Sequence, residues 1–303
     1  MKQPINVLSL FDGMSCGQIA LRELGVKVNR YYASEIDKFA IAQTQLNFPD
    51  TIQLGDVTKV SAKNLPKIDL LIGGSPCQGF SFAGKQLNFN DPRSKLFFEF
   101  VRILKECREI NPDVKFMLEN VRMKREYEQV ISETLGVKPV MINSALVSAQ
   151  NRVRLYWSNI RTAPDGLFEV KTDIPQPKDK GLCGYDILGT RHLQRRQRRI
   201  IQINESKESG GKEPYQQNRI YKPCGLLPAL SAGHGGHAPK IQLPNGSIRR
   251  LTLNECAELQ TIPNWYKWGC SRAQSNIMLG NGWTVDVIKH IFSYLPTINE
   301  IAV

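Results

Sequence analysis

The chain has 303 residues, 41% of them hydrophobic, and a formal net charge of +12 at pH 7, which allows two domains and permits a polyanionic partner. No uncharged apolar run approaches the roughly 18 residues of a membrane span, and the N-terminus lacks a signal-peptide layout, so we expect a soluble, cytoplasmic protein. The 7 cysteines are scattered without a CxxC pair, which favours reduced thiols over zinc or redox chemistry.

Apolar runs and amphipathic stretches alternate through the first half of the chain. The runs predict buried parallel strands, and the stretches, with apolar residues every three or four positions, predict crossover helices. This alternation is typical of a doubly wound α/β sheet. The predicted strands are 5–11, 28–33, 51–54, 68–72 and 114–118, and the clearest helices are 17–24 and 94–109.

The composition changes after Trp157. Two apolar runs near this point, 140–147 and 152–160, predict an antiparallel hairpin that ends the sheet. Residues 158–249 are rich in Pro, Gly, Gln and Asn and hold 15 Lys and Arg against 8 Asp and Glu. We predict a catalytic domain at 1–157, a domain facing a polyanion at 158–249, and a C-terminal segment at 250–303 whose last helix returns to the catalytic domain.

The densest basic cluster is RHLQRRQRR, residues 191–199. Such side chains suit contacts with nucleic-acid phosphates, and the alternative is the solvated face of a helix. The candidate nucleic-acid contacts in this cluster are Arg195, Arg196, Arg198 and Arg199.

The first strand ends in FDGMSCG, residues 11–17, and a helix follows. A strand–glycine–helix turn places backbone N–H groups at the carboxyl edge of the sheet, where open α/β sheets bind ligands. Glu35 after the second strand can accept hydrogen bonds from ribose hydroxyls, and Asp56 after the third can meet an adenine amino group. Each acid alone is typical of a cap or turn, but together they favour a nucleoside. Because GxGxxG is absent and Asp12 precedes the glycine, a zwitterionic methionine moiety fits better than the pyrophosphate of NAD.

A cysteine follows the fourth strand in GGSPCQGFS, residues 73–81. A free cysteine is usually buried filler, but Cys77 is flanked by Pro, Gly and Ser rather than by apolar residues. Glu119 ends the fifth strand, and strand alternation would point Arg152 and Arg154 to one face. A thiolate, an acid and an arginine together suit covalent attack on an electron-poor ring.

In these segments the chain resembles the cytosine-5 DNA methyltransferases of prokaryotes and phages, over nearly its whole length outside the central basic region. The last matching motif is closer to the glycine-x-x-tryptophan form of the animal de novo enzymes. The resemblance implies a Rossmann-like S-adenosylmethionine-binding sheet with a smaller, loop-rich target-recognition domain at 158–249. The motifs that match in order are DGMSCG at 12–17, GGSPCQGFS at 73–81, ENV at 119–121, QNRVR at 150–154, RLTLNECAELQTIP at 250–263 and GNGWTVDVI at 280–288.

The resemblance also implies a mechanism. Cys77 would attack cytosine C6 while Glu119 hydrogen-bonds N3 and the exocyclic amine. Arg154 would meet the cytosine O2 and Arg152 would support Glu119, although the sequence leaves open which arginine has which role. The target base must be flipped out of the duplex, and residues 80–96 would form a loop that closes over the DNA.

The implied cofactor is S-adenosylmethionine, with S-adenosylhomocysteine as product and no metal. Phe11 should pack on the adenine, Glu35 hold the ribose, and Asp56 with Val57 read the adenine edge, while Trp283 either approaches the cofactor or only packs in the core. The expected cofactor contacts are Phe11, Asp12, Gly13, Ser15, Cys16, Gly17, Glu35, Ile36, Asp56, Val57, Ser75, Pro76, Asn281, Trp283 and Thr284.

Further expected DNA contacts are Gln78, Ser81 and His234. His234 and His237 lie three positions apart in a glycine-rich segment, where a DNA-contact loop is favoured over a metal site because no Cys or acidic companion is present.

Three other functions are weighed. A branch of the family methylates transfer RNA, but its Cys-Phe-Thr signature is absent. An inactive DNA-binding scaffold would not need Cys77, Glu119 and both arginines, and a nicotinamide oxidoreductase lacks its fingerprint. We therefore expect double-stranded DNA as substrate and a monomer of bacterial or phage origin near the nucleoid. We expect no stable complex with a cognate restriction endonuclease. The recognised DNA sequence does not follow from the amino-acid sequence.

Overall fold

A computed structural model of the protein describes residues 3–75, 92–167, 169–189, 196–204, 214–233 and 237–296. The chain divides into two compact units. The first, here called the sheet unit, consists of Met1–Ile142, Val153–Gln176 and Ile288–Val303. The second unit consists of Asn143–Arg152 and Pro177–Val287.

A seven-stranded sheet organises the structure, with strand order β3-β2-β1-β4-β5-β8-β6. The first five strands along the chain pair in parallel, and β8 runs antiparallel to β5. The strands are β1 (Ile5–Leu10), β2 (Val28–Ser34), β3 (Ile52–Gln53), β4 (Leu70–Gly74), β5 (Lys115–Val121), β6 (Val140–Asn143) and β8 (Val153–Ser158), and the helices between them are α1 (Cys16–Glu23), α2 (Lys38–Asn47), α3 (Pro92–Ile110) and α4 (Arg125–Leu135).

The central strands are buried along almost their whole length, as expected for a parallel sheet covered on both faces. Side chains of α3, including Phe97 and Phe100, belong to one core cluster with Leu71 and Phe116 of the sheet. Full burial of one such side chain contributes about 1.5–3 kcal/mol. The predicted doubly wound α/β sheet is confirmed, and both helices predicted from the sequence are present as α1 and α3.

The predicted pair of strands at the end of the sheet is present as β6 and β8, which are neighbours in the sheet. Both strands are shorter than the apolar runs that predicted them, because a 3-10 turn at Ser144–Leu146 and a short strand, β7 (Gln150–Asn151), come between them. β7 pairs with β12 (Leu227–Pro228) instead of joining the large sheet.

The second unit has little regular structure, as its Pro- and Gly-rich sequence predicts. Its longest helices begin at well-formed caps: Thr252 and Glu255 form a capping box on one, and Ser271 and Gln274 on the next. The remaining elements of the chain are β9 (Thr162–Pro164), β10 (Val170–Thr172), α5 (Gly184–Ile187), β11 (Ile220–Tyr221), β13 (Lys240–Gln242), β14 (Ile248–Arg250), α6 (Leu253–Leu259), α7 (Arg272–Asn281) and α8 (Val285–Phe292). Within the described ranges, no helix has the length and hydropathy needed to cross a membrane.

Candidate active site

The turn after β1 contains three residues with backbone conformations that most residue types rarely adopt. Phe11, Gly13 and Ser15 have φ angles of 57°, 57° and 64°, in the left-handed region that glycine tolerates and other residues rarely enter. The turn is closed by a hydrogen bond from the Ser15 N–H to the Asp12 carbonyl, 3.0 Å. Alternation of such conformations turns successive N–H groups toward one side, which is the geometry of an anion-binding turn.

Glu35, directly after β2, ties this turn to the neighbouring strand. Its Oε2 accepts from the Gly13 N–H at 2.8 Å, and its Oε1 accepts from the N–H groups of Ile36 and Asp37 at 2.7 and 2.9 Å. Two carboxylate oxygens have about four acceptor sites in total, so capacity remains for a ligand hydroxyl. Beside Glu35, the Ile36 side chain is 77% exposed. An apolar side chain left in water at a strand end suits contact with a flat apolar ligand.

Asp12 is a buried carboxylate with one oxygen satisfied and one not. Tyr31 donates its hydroxyl to Oδ1 at 2.9 Å, whereas the buried Oδ2 has no hydrogen-bond partner among the residues that the structure describes. Burial raises the pKa of Asp12 to about 6. A buried anion without a full set of donors favours a cationic partner. The residues of this turn therefore fit the ammonium and carboxylate groups of a bound methionine moiety.

Asp56 and Val57 follow β3 at the same edge of the sheet. The Asp56 carboxylate accepts from the Thr58 N–H at 3.0 Å and from its hydroxyl at 2.9 Å, and the backbone hydrogen bond lowers the pKa of Asp56. Val57 is 5% exposed. Asp56 thus caps a 3-10 turn at Val57–Lys59, and its carboxylate is ionised and solvent-facing at neutral pH.

Glu119 and Arg154 form an ion pair across two antiparallel strands. In the pairing of β5 with β8, Glu119 lies opposite Tyr156 and Val121 lies opposite Arg154, so the two charged residues are diagonal neighbours. The Arg154 Nε lies 2.9 Å from the Glu119 Oε1, with the side chains 16% and 11% exposed. Such a sheltered arginine holds a carboxylate in one orientation at the strand edge.

Asn120 connects the Glu119 strand to the segment that leads toward Cys77. Its Nδ2 lies 3.2 Å from the Ser75 Oγ and 3.3 Å from the Ser75 carbonyl oxygen. Two residues before Ser75, Gly73 lies in a crowded position, because a Cβ there would lie 3.0 Å from the Phe100 ring and 3.1 Å from the Leu10 carbonyl oxygen. The sequence motifs assigned no role to Asn120. Its position as a polar residue within a buried strand could have indicated one.

Arg152 lies in the second unit and is 3% exposed. Its guanidinium donates to the carbonyl oxygens of Leu230, Gly280 and Gly282 at 3.2, 3.0 and 2.8 Å. The prediction that one strand carries Arg152 and Arg154 on the same face is wrong, since Arg152 lies between β7 and β8, which belong to different sheets. The sequence left open which arginine supports Glu119, and the structure shows Arg154 in that position.

The predicted cofactor residues near the C-terminus also lie in the second unit. Trp283 is 8% exposed and Asn281 is exposed. The Thr284 hydroxyl donates to the Gln260 Oε1 at 2.7 Å and lies 2.8 Å from the Ser144 Oγ. Thr284 is thus part of a buried polar network within that unit.

The described arginines of the basic cluster are bonded to the protein itself. Arg196 pairs with Asp186 at 3.1 Å, and Arg198 pairs with Asp179 at 2.8 Å while also donating to backbone carbonyls. Arg199 is exposed and bonds the Gln197 side chain at 2.9 Å. The other predicted site residues, namely Pro76, Cys77, Gln78, Ser81, Arg195 and His234, lie outside the described residues. Among the described residues, no group of His, Cys, Asp or Glu could hold a metal ion.

Comparisons with known proteins identify the family of the chain. Residues 5–296 match the sequence model of the C-5 cytosine-specific DNA methylase family. The type II methyltransferase M.HhaI of Haemophilus parahaemolyticus is 29% identical over 95% of this chain and 93% of its own length. The type II methyltransferase M1.ScrFI of Lactococcus lactis subsp. cremoris is 30% identical over 94% of this chain and 76% of its own length.

Solved structures share the fold. A crystal structure of an E. coli prophage protein described as a DNA modification methyltransferase has a TM-score of 0.69 at 20% identity and covers 98% of this chain and 99% of its own. The Dnmt2 methyltransferase of S. pombe has a TM-score of 0.66 at 17% identity, with 99% and 100% covered. With its sequence matched from the first strand to the last helix, the chain belongs to the C-5 cytosine-specific DNA methylase family.

Proposed function

We propose that the protein methylates carbon 5 of a flipped-out cytosine within a short duplex DNA sequence, through a covalent bond between Cys77 and cytosine C6. The family supplies the reaction type. The observation that carries the proposal is the Glu119–Arg154 pair at the end of β5, with Asn120 bonded to Ser75 two residues before Cys77. Glu119 pairs with Gly74 of β4, the strand that precedes Cys77 in the sequence, and an oriented acid is what addition to a cytosine ring needs.

In the proposed reaction, Cys77 and Glu119 act together on the cytosine ring. The Cys77 thiolate forms the S–C6 bond, and Glu119 donates a proton to N3, so that the C5–C6 double bond is lost and C5 becomes nucleophilic. C5 then takes the methyl group that a bound S-adenosylmethionine would supply, and the methyl–sulfur bond of the donor would break to leave S-adenosylhomocysteine. A base removes the C5 proton, the S–C6 bond breaks, and Glu119 takes back the proton from N3. The aromatic ring, the free thiolate and the protonated carboxyl group are thereby restored. Arg154 keeps the Glu119 carboxyl aimed at the ring edge throughout.

The family uses S-adenosylmethionine, which supplies the methyl group. In our proposal the turn at residues 11–17 holds its methionine moiety, with Asp12 Oδ2 facing the ammonium group. Glu35 accepts from the ribose, Ile36 and Phe11 contact the adenine ring, and Asp56 accepts from its amino group. The unpartnered Asp12 Oδ2 and the exposed Ile36 support this assignment. No metal takes part in this proposal.

The substrate in this proposal is double-stranded DNA, and residues 158–249 serve as the target-recognition domain of a monomer. The relatives named as type II methyltransferases support a modification role of the restriction–modification kind. We place the enzyme in the cytoplasm of a bacterium, near the nucleoid, with any cognate endonuclease acting separately.

The test is methylation sequencing of unmethylated plasmid DNA incubated with the purified protein and S-adenosylmethionine. We expect 5-methylcytosine at one short motif, and none with Cys77→Ala. Transfer RNA is the parallel substrate. Modified RNA with unmodified DNA would replace the proposal with the RNA alternative, and binding of DNA without any transfer would replace it with the scaffold alternative.

A further inference from the structure

Helix α3 carries a charged cluster that is hydrogen-bonded to the segment after β3. We define this cluster as Glu99, Arg102 and Glu106, which lie on one helix face at spacings of three and four residues. Arg102 lies 2.7 Å from Glu99 through Nη2 and 2.7 Å from Glu106 through Nη1. Two carboxylates therefore fix the plane and direction of a single guanidinium.

The fixed guanidinium reaches across to the backbone of the 3-10 turn that follows Asp56. Its Nη2 donates to the Val60 carbonyl at 2.8 Å and to the Val57 carbonyl at 3.4 Å. Glu106 grips the next residues, because its Oε2 accepts from the Ala62 N–H at 2.7 Å and from the Ser61 hydroxyl at 2.9 Å. The cluster thus contacts the chain both before Val60, at the Val57 carbonyl, and after it, at Ser61 and Ala62.

The segment that the cluster contacts has little regular structure of its own. β3 has only two residues, Ile52–Gln53, and Gly55 follows with a φ of 73°. The Ser34 hydroxyl donates to the Gly55 carbonyl at 2.7 Å, which fixes the start of the segment to β2. After Asp56, side chains of α3 take over this role, because Arg102 and Glu106 are hydrogen-bonded to the backbone of residues 57–62.

We propose that Arg102 is a positioning residue for cofactor recognition: held by Glu99 and Glu106, it sets the place of Asp56 and Val57 and so the selectivity of the site for adenine. This inference rests on the cofactor site of the proposed function. An ammonium group could not replace the guanidinium, since lysine has no planar fork to serve two carboxylates and two carbonyls at once. Arg102 itself does not touch the cofactor in this proposal.

The chain provides a matched control on the same two elements. Lys63 and Glu109 form an ion pair of 2.8 Å between the end of this segment and α3, with side chains 59% and 61% exposed. Exposed pairs of this kind contribute little. Lys63→Met therefore removes a charge from the same interface without removing a grip on the Val57–Val60 backbone.

The experiment measures binding of S-adenosylhomocysteine and of S-inosylhomocysteine, which has an oxo group in place of the adenine amino group, by calorimetry on the full chain. We expect the unmodified protein to prefer the adenine ligand by about tenfold, the size of one hydrogen bond that the wrong ligand leaves unmade. In Arg102→Met we expect the preference to fall to about twofold or less. Lys63→Met should keep the full preference.

A purely structural role for Arg102 predicts a different result: a lower melting temperature, with the ratio of the two affinities unchanged in the folded fraction. That result, or an equal effect of Lys63→Met, would overturn the inference. Should Arg102→Met fail to fold, Arg102→Lys is measured in its place, and retention of the full preference there would also overturn it. If the unmodified protein binds neither ligand, the proposed cofactor site fails; if it binds with preference and the variants match it, only the role of Arg102 fails.

Discussion

The Arg154 Nε lies 2.9 Å from the Glu119 carboxylate across strands β5 and β8, although the residue directly opposite Glu119 is Tyr156, two positions further along β8. Because Arg154 lies opposite Val121, the last residue of β5, this diagonal contact draws the Glu119 carboxyl group toward the carboxyl end of that strand. It also makes the orientation of Glu119 depend on strand pairing that is fixed by the large sheet. Chemistry at Glu119 is therefore expected to respond to Arg154.

Replacement of the carboxyl proton donor should strongly reduce turnover without loss of cofactor binding. For Glu119→Gln we expect the turnover number to fall by about 10²–10⁴, the range for losing a general acid. Single-turnover methylation of a cognate duplex measures the effect, and calorimetry with S-adenosylhomocysteine is the control. A Glu119→Gln enzyme with near-normal turnover would remove Glu119 from the mechanism.

Arg154→Lys tests the orientation of that carboxyl group. Lysine keeps the charge but not the forked geometry, so we expect an intermediate loss of turnover and little change in stability. The measurements are single-turnover rates and a thermal melt of the same samples. Equal rates for Arg154→Lys and the unmodified enzyme would show that the charge alone is sufficient.

Binding of the cofactor product should depend on pH through Asp12. The pKa of Asp12 is raised to about 6 by burial, so the carboxyl group is largely neutral below that pH. A ligand ammonium group favours the ionised form, so affinity should rise as pH increases toward about 6 and then level off, with about a tenfold loss for each pH unit below. Calorimetry with S-adenosylhomocysteine from pH 5 to 8 measures the profile. Asp12→Asn should give a flat profile, and an unchanged slope in that variant would assign the titration elsewhere.

Arg152 is expected to stabilise the second unit through its three carbonyl contacts. Arg152→Met removes the arginine donor from the carbonyl oxygens of Leu230 and Gly280, whereas the Gly282 carbonyl keeps a hydrogen bond from Gln260. Each buried group left unsatisfied costs about 1–3 kcal/mol. We expect the variant to unfold at clearly lower urea concentration, whereas Lys63→Met, which removes only an exposed ion pair, should shift the transition far less. Urea titration followed by tryptophan fluorescence measures both. Equal transitions for the two variants would contradict the stabilising role of Arg152.

The basic cluster should separate into structural and DNA-binding arginines. Arg198 is bonded to Asp179 and to the carbonyls of Leu182 and Ala145, so Arg198→Ala should lower stability. Arg199 is exposed, so Arg199→Ala should weaken DNA binding and reduce the slope of log affinity against log salt concentration by about 1. Fluorescence anisotropy over a salt series measures the slope. An unchanged slope in Arg199→Ala would place the DNA elsewhere.

The alternation of apolar runs and amphipathic stretches was sufficient to predict the doubly wound sheet. A buried parallel strand must be apolar on both faces, and a crossover helix must be apolar on one, so each leaves a local pattern in the sequence. The positions of Asp12, Glu35, Asp56 and Glu119 at strand ends followed from the same pattern, because carboxyl ends of parallel strands share one edge.

The partners of these side chains were decided by tertiary structure. Arg152 and Arg154 look equivalent in the sequence, but Arg152 lies between strands of two different sheets and only the fold separates their contacts. Arg102 is 42 positions from Val60, and nothing in the spacing of either residue signals that they are bonded. Local patterns reflect burial, which each residue carries by itself, whereas a hydrogen bond between distant segments exists only once the sheet has set their separation.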